Sequence, residues 1–457
     1  MRVYHQWAKE LGQNLLILDT PKAAIELLEK RSAIYFSRPR FGFLHQVVGP
    51  DFSTAALKYI QFCQSSRRKH RCLAHAYFGQ NAPASSYKEH SVRAARELVV
   101  HLLNTDRSKD LDVKSKLSDT AALTILSICY GITPLSSTSK LAKGTEASKD
   151  TYTYYLLAVQ NGLAAINKAG IPGKFLADVM PMLKYVPEWM PGAGFQTKAR
   201  ISGTCPPCFA CTTLQTLDLE VDEGETSVGE DIVKIVAVLM YAAGSDTTST
   251  TIASCILGLL SRPELLHRAR ESLDRVIKPG NLPELEDEPK LPFITAIVKE
   301  ALRWREALPL GVPHQVEVED EYAGYRIPAG LIIIANQWAL LQDEEFYPDP
   351  FKFKPERFIK GDEYNYETKD PEYACWGFGR QICPGQFMAF SAIWITIASL
   401  IYVFDIEKEV AQDGSEIEPD PEYTSALMFA PESVPCHMTP RSQELARLVR
   451  ASVVQEL

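Results

Sequence analysis

The sequence has no excess of basic charge: 48 lysines and arginines stand against 57 acidic residues, for a net charge of −9. A balance of that sign excludes nucleic acid as the main partner and leaves small molecules or proteins. Cysteines at disulfide-framework spacing are missing as well. The ten present, at 63, 72, 129, 205, 208, 211, 255, 375, 383 and 436, are scattered, which predicts free thiols in a reducing, intracellular compartment. The opening residues, Met1-Arg2-Val3-Tyr4-His5-Gln6-Trp7-Ala8-Lys9, show no secretory h-region and no run of about 20 apolar residues, so no membrane anchor is read in the chain as written. No Gly-x-Gly-x-x-Gly turn follows a strand pattern, which argues against a dinucleotide site of its own. Repeats and low-complexity segments are absent too.

What the chain does carry is length and apolar mass: 457 residues, 46% of them apolar, can bury a large core. Residues 14–18 read as a short strand, and Thr20-Pro21 then supplies an N-cap and a first-turn proline for a helix to about Arg31. Helical patterns dominate from 54 to about 229, with a Pro/Gly-rich loop at 185–195. Residues 231–260 form one long helical pattern, and further helices are predicted at 263–276 and 291–304. Residues 316–336 alternate β-type runs with the turns Ala323-Gly324 and Pro328-Ala329-Gly330, and 423–439 is extended and divided by prolines. The runs 232–260 and 387–404 approach membrane-spanning length. Lys234 and Asp246 interrupt the first, a glycine-rich turn and Asp405-Ile406-Glu407-Lys408 bound the second, and both read as core helices.

The most informative residue is Cys383, in Trp376-Gly377-Phe378-Gly379-Arg380-Gln381-Ile382-Cys383-Pro384-Gly385, directly ahead of the second apolar helix. A helix N-terminus favours a thiolate, and therefore a metal ligand. Glycines around it clear Cβ atoms so that a flat group such as a haem can lie against the backbone, with sulfur as its axial ligand. For the segment alone, a buried free cysteine beside a glycine turn is the favoured reading.

Three other segments bear on the choice. Ala243-Gly244-Ser245-Asp246-Thr247-Thr248 sets a glycine and a carboxylate inside an apolar helix, each costing stability unless offset. Read structurally, its hydroxyls cap a kink; read functionally, Gly244 admits a ligand to the helix while Asp246 and Thr247 pass protons. Glu300-Ala301-Leu302-Arg303 places opposite charges on one helix face, and Arg357 in Pro355-Glu356-Arg357-Phe358 could complete a lock of one carboxylate and two guanidiniums.

Taken in chain order, these segments resemble those of a cytochrome P-450. Residues 243–248 look like the family's oxygen-activation motif, Glu300/Arg303 with Arg357 like its Glu-Arg-Arg triad, and 376–385 like its haem loop. The resemblance runs from about residue 4 to the C-terminus and includes Leu308-Pro309-Leu310-Gly311-Val312-Pro313-His314 and Ile334-Ala335-Asn336-Gln337-Trp338-Ala339. Residues 182–193 are similar, more narrowly, to fungal secondary-metabolism members of the O-methylsterigmatocystin oxidoreductase type. The resemblance implies a mainly α (α+β) fold in a single domain, residues 1–457, with a long central helix, a small β-rich region and a haem between them. Its β-rich parts would be about 10–60, 310–340 and 420–440, and its helical core about 54–310 and 386–405.

The same resemblance implies haem b (heme b, iron protoporphyrin IX) ligated by Cys383, with Arg71, His314, Phe378, Gly379, Gly385, Ala243 and Gly244 around it. Asp246 and Thr247 would be catalytic in proton delivery, while residues near Leu427-Met428-Phe429 and along 239–243 would line an apolar pocket. The implied reaction is monooxygenation of a small lipophilic substrate by O2, with electrons from NADPH through a separate NADPH-cytochrome P-450 reductase. Arg67, Arg68, Lys69 and Arg71 form a basic run that would flank the haem and face that reductase. The family's usual location is the endoplasmic reticulum membrane; without an anchor, this chain is expected to be soluble or peripheral.

The chain also departs from the family pattern. Gln381 stands where an arginine normally meets a haem propionate, Gln315 follows His314 where arginine is usual, and Arg67 replaces a tryptophan. The anchor and proline-rich hinge are missing, and the chain passes from Arg200 to Ile201 across most of one long helix. A non-catalytic relative with weak or no haem binding is therefore the alternative, and a haem protein performing rearrangement without oxygen is a further one. Cys205-Pro206-Pro207-Cys208-Phe209-Ala210-Cys211 imitates an iron–sulfur run, but Gln215 occupies the fourth position and no histidine lies nearby.

Overall fold

The computed structural model describes residues 15–39, 87–104, 112–130, 226–411, 413, 415–419, 421–424 and 427–455. Arg67, Arg68, Lys69, Arg71, the Arg200–Ile201 junction and Cys205, Cys208 and Cys211 lie outside them.

Strand β1 (Leu15–Leu18) leads to Thr20, whose side chain accepts from the Ala23 N–H at 3.4 Å, capping helix α1 (Pro21–Ala24) with its first-turn proline. The helix then widens into a π-type turn over Ile25–Lys30, which periodicity did not predict. Helices α2 (Lys88–Asn104) and α3 (Val113–Tyr130) pack with the spine α4 (Thr226–Leu260) and with α8 (Gln386–Val403) as a four-helix bundle. The spine starts five residues before its predicted beginning and, with 35 residues, is about 52 Å long. Two amphipathic helices, α5 (Pro263–Val276) and α6 (Pro292–Trp304), each open on a proline and bury one face against the core.

The β structure is small, as expected. Strand β5 (Ile332–Ala335) pairs parallel with β1 and antiparallel with β2 (His314–Gln315). Strands β3 (Asp320–Tyr322) and β4 (Tyr325–Ile327) form a hairpin whose turn residues Ala323 and Gly324 both have positive φ, 51° and 79°. Helix α7 (Gln337–Leu341) follows β5, capped by Asn336. Strands β6 (Phe404–Lys408) and β7 (Cys436–Pro440) pair antiparallel after α8.

The C-terminal helix α9 (Gln443–Gln455) was not read from the sequence, although its signals were there: Ser442 accepts from the Leu445 N–H, Glu444 sits in the first turn, and Ala446 and Val449 are buried one turn apart. Helix α8 is long and apolar enough to cross a bilayer, yet 67% of that stretch is buried among its neighbours, as an all-round apolar core helix must be.

Candidate active site

The sequence from Trp376 to Gly385 folds as a tight loop closed by a hydrogen bond from the Cys383 N–H to the Trp376 carbonyl at 2.8 Å. Gly377 and Gly379 adopt φ of 77° and 53°, a region closed to most side chains. At Gly379 a Cβ would lie 2.2 Å from the Leu28 carbonyl oxygen and 3.2 Å from the Glu29 Cα, so the loop docks backbone to backbone on the π-type turn. The glycine, expected beside a cofactor, is thus explained by helix docking. Phe378, expected beside the cofactor, lies between these two left-handed glycines and is fully buried in the main core. Gly385 differs, since a Cβ there would meet only the Met388 methyl, at 3.9 Å, leaving an open approach beside the sulfur.

All five described cysteines, Cys129, Cys255, Cys375, Cys383 and Cys436, are free thiols, and Cys383 alone among them is not buried. Burial pushes Cys129 and Cys436 up to about 12 and Cys375 well above its ordinary value, so these remain inert thiols.

On the spine, hydroxyls bond back onto the helix: Ser245 to the Tyr241 carbonyl (2.9 Å), Thr247 to Ala243 (2.6 Å) and Thr251 to Thr247 (3.0 Å). Such back-bonding satisfies the hydroxyls within the helix itself. Ala243 is exposed and Asp246 and Thr247 half-exposed, whereas Ile252–Leu260 is fully buried, so an open face lies at mid-helix. Gly244 faces elsewhere. A Cβ there would sit 2.9 Å from Ile125 Cδ1, so the glycine lets α3 pack closely against the spine.

The two halves of the site meet through Met388. Its methyl lies 3.9 Å from where a Cβ would stand at both Gly244 and Gly385, placing the cysteine loop against the midsection of the spine. The early turns of α8 are half-exposed from Gln386 to Ala392 apart from Met388, whereas Ile393–Val403 is buried. An apolar helix with exposed first turns, an accessible cysteine ahead of it and an exposed alanine on the spine fit a flat, apolar, sulfur-ligated group.

Beneath the loop, Glu300 and Arg303 are fully buried and bidentate, Nε to Oε2 and Nη2 to Oε1, both at 2.8 Å. Arg357 joins the same carboxylate with Nε 3.2 Å from Oε2, and the Lys354 N–H donates to Oε1 at 2.7 Å. Arg303 is further satisfied by the carbonyls of Leu341 and Pro350. The two charged fragments read from sequence are one lock.

His314 is buried, and its Nδ1 meets the Tyr35 carbonyl at 2.8 Å, so that nitrogen carries the proton. Burial, aided by the neighbouring Arg38, pushes the imidazole down to about 3 and keeps it neutral. In the haem-free fold His314 is thus a neutral ring rather than a cation. Gln381 donates from Nε2 to the Phe36 carbonyl at 2.7 Å, and Arg38 bonds the carbonyls of Val312 and Pro313. Sequence reasoning missed Arg38 and this stitching, for neither has a periodic or motif signature.

Similarity to known proteins agrees with this geometry. The family described as Cytochrome P-450 matches residues 7–434. Cytochrome P-450 monooxygenase 98 of Postia placenta is 34% identical over 98% of this chain and 87% of its own length. Cytochrome P-450 monooxygenase ple1 of Rhodocybe pseudopiperita is 33% identical over 98% and 87%, and the tryptamine 4-monooxygenase of Psilocybe cyanescens 31% identical over 96% and 86%. With its cysteine loop, spine motif and buried Glu-Arg-Arg lock, the chain belongs to the cytochrome P-450 family of monooxygenases, whose cofactor is haem b reduced by NADPH through a reductase.

Proposed function

We propose that this chain inserts one oxygen atom from O2 into a small lipophilic metabolite in fungal secondary metabolism, of terpenoid, polyketide or alkaloid class. The observation that carries the reading is the half-exposed Cys383 loop, whose following helix packs Met388 against Gly244 at the midsection of the spine. Cys383 would hold the haem through its sulfur, and a thiolate-bound haem would supply the oxygen-activating chemistry. Ala243 gives the cofactor and substrate room against the spine, Gly385 lets the macrocycle approach beside the sulfur, and Arg71 is assigned to a propionate by resemblance. Thr247 and Asp246 hold the proton-delivery positions. Because Thr247 Oγ1 already donates to the Ala243 carbonyl, it can accept a proton donor on the open side while its own proton points along the helix.

The fungal relatives support the pathway class, and the absence of a dinucleotide motif supports a separate reductase as electron donor. The endoplasmic reticulum membrane is the proposed working surface. Purified, reduced and exposed to carbon monoxide, the protein is expected to show a Soret band at about 450 nm that Cys383→Ala abolishes, as thiolate ligation requires. A second reading, a relative with weak or no haem binding, is favoured by the neutral His314 and by the commitment of Gln381 to Phe36. NADPH-dependent substrate turnover with a fungal reductase would eliminate it.

A further inference from the structure

Arg305, two residues beyond the buried Arg303, is held in a cage of aromatic rings that no part of the oxygen chemistry uses. Its guanidinium carbon lies 5.0 Å from the Trp304 ring centroid, 4.9 Å from Tyr423 and 5.9 Å from Phe429. Tyr423 and Phe429 are themselves stacked, with centroids 4.5 Å apart at 25°. Both rings belong to one tight excursion of the chain. The Glu432 N–H donates to the Glu422 carbonyl and the Thr424 N–H to Ala430, each at 2.8 Å, and Thr424 Oγ1 bonds the Met428 carbonyl at 3.1 Å.

Among the described residues, besides a bond from Lys114 Nζ to the Glu432 carbonyl at 3.4 Å, the excursion is fastened at three other points. The Phe429 N–H donates to the Ala307 carbonyl at 2.9 Å, Tyr423 Oη meets Ser254 Oγ on the spine at 3.3 Å, and Trp338 of α7 stands edge-on to Phe429 at 5.5 Å. Each of these is a single neutral contact, whereas Arg305 grips both rings at once. Cation–π contacts strengthen when water is excluded, and a planar guanidinium stacks where an ammonium cannot.

We propose that Arg305 is a positioning residue that fixes how far the excursion carrying Leu427, Met428 and Phe429 stands from the end of α6, and that, if these residues wall the substrate pocket as the resemblance implies, this spacing sets the pocket's size. The inference rests on the haem-thiolate reading above. With the clamp intact, the wall is rigid before substrate arrives, and a bulky ligand meets a surface already ordered. Without it, ligands that touch the wall must order it, while ligands reaching only the iron are indifferent.

The test is an azole titration of the purified holoprotein, read by the optical difference spectrum, with imidazole as the small probe and 4-phenylimidazole as the one that reaches the wall. Arg305→Leu is expected to raise the Kd for 4-phenylimidazole about fivefold, as the loss of a half-exposed cation–π contact predicts, and to leave that for imidazole within about twofold. Arg305→Lys, which keeps the charge but not the planar face, is expected to shift the ratio of the two constants in the same direction by a smaller factor. An unchanged ratio in both variants overturns the proposal, and so does an equal shift for both azoles. Loss of haem in both variants also overturns it, by assigning Arg305 to cofactor retention. If the wild-type protein lacks the carbon monoxide band, the haem-thiolate reading has failed instead, which is a separate result.

Discussion

Gln381 donates from Nε2 to the carbonyl of Phe36 at 2.7 Å, tying the cysteine loop to the segment that follows α1. The same segment is stitched to the β2 region. The Gln315 N–H donates to the Ser37 carbonyl at 2.7 Å, the Glu317 N–H to Ile34 at 2.9 Å, and His314 pairs with Tyr35. An arginine at 381 would reach for a propionate; the glutamine latches the loop onto protein. Gln381→Ala is expected to cost about 1 kcal/mol, the worth of one part-buried hydrogen bond. In the holoprotein it should hasten conversion of the band at about 450 nm to one of shorter wavelength as the thiolate bond is lost, followed spectroscopically over time.

The glycines of the loop predict opposite behaviours. Gly379→Ala combines a φ of 53° with a Cβ 2.2 Å from the Leu28 carbonyl, and should destabilise the protein by about 3 kcal/mol or more, seen as a lowered melting temperature of the haem-free chain. Gly385→Ala has only the Met388 methyl to meet and should leave that melting temperature within about 1 °C. Its effect is expected in haem affinity, measured by haem transfer to an acceptor protein.

Removing one partner of the buried lock leaves an uncompensated charge. Glu300→Gln or Arg357→Ala is expected to lower stability by about 3–5 kcal/mol, enough to cut soluble yield sharply. Arg303→Lys should do nearly as much harm, because an ammonium cannot reproduce the bidentate pair together with the bonds to the Leu341 and Pro350 carbonyls. Denaturant midpoints of the three variants check this.

Two buried groups give the stability a pH dependence of opposite sign. Burial pushes Glu306 up to about 8, although its Oε1 accepts the Leu308 N–H at 3.2 Å. The folded chain therefore holds a proton that the unfolded chain releases above about 4.5, and stability falls as pH rises from there to about 8. By pH 7 the loss is roughly 3 kcal/mol, so Glu306→Gln should stabilise the protein at pH 7 to 8 and flatten that limb. His314, held down to about 3, does the reverse. Its neutral form is the native one, stability is lost as pH falls from about 6.5 toward 3, and His314→Gln should lessen the acid sensitivity. Denaturant midpoints of each variant across pH 5 to 9 separate the two.

Much of this was legible without coordinates. The spine, α5, α6 and α8 follow from apolar periodicity bounded by prolines and glycines, and the Glu300, Arg303 and Arg357 lock follows from charge types and order along the chain. What escaped is what no local pattern encodes. The core burial of Phe378, between two left-handed glycines, belongs to a residue that looks like any apolar contact. Gly244 reads as an opening in a helix until Ile125, more than a hundred residues earlier, is seen to pack against it. The neutral state of His314 depends on its depth and on Arg38, and the cage around Arg305 joins segments about 120 residues apart.

The central sheet has a further consequence for how the protein is made. Strand β1 is threaded against β5, Leu15 opposite Ile332, so this strand waits for 317 residues before that partner exists. At ordinary rates of synthesis that is roughly 15 to 60 seconds with an apolar Leu15-Leu16-Ile17-Leu18 edge unpaired. Chaperone supply during translation should limit recombinant yield for this chain more than the stability of the finished fold does.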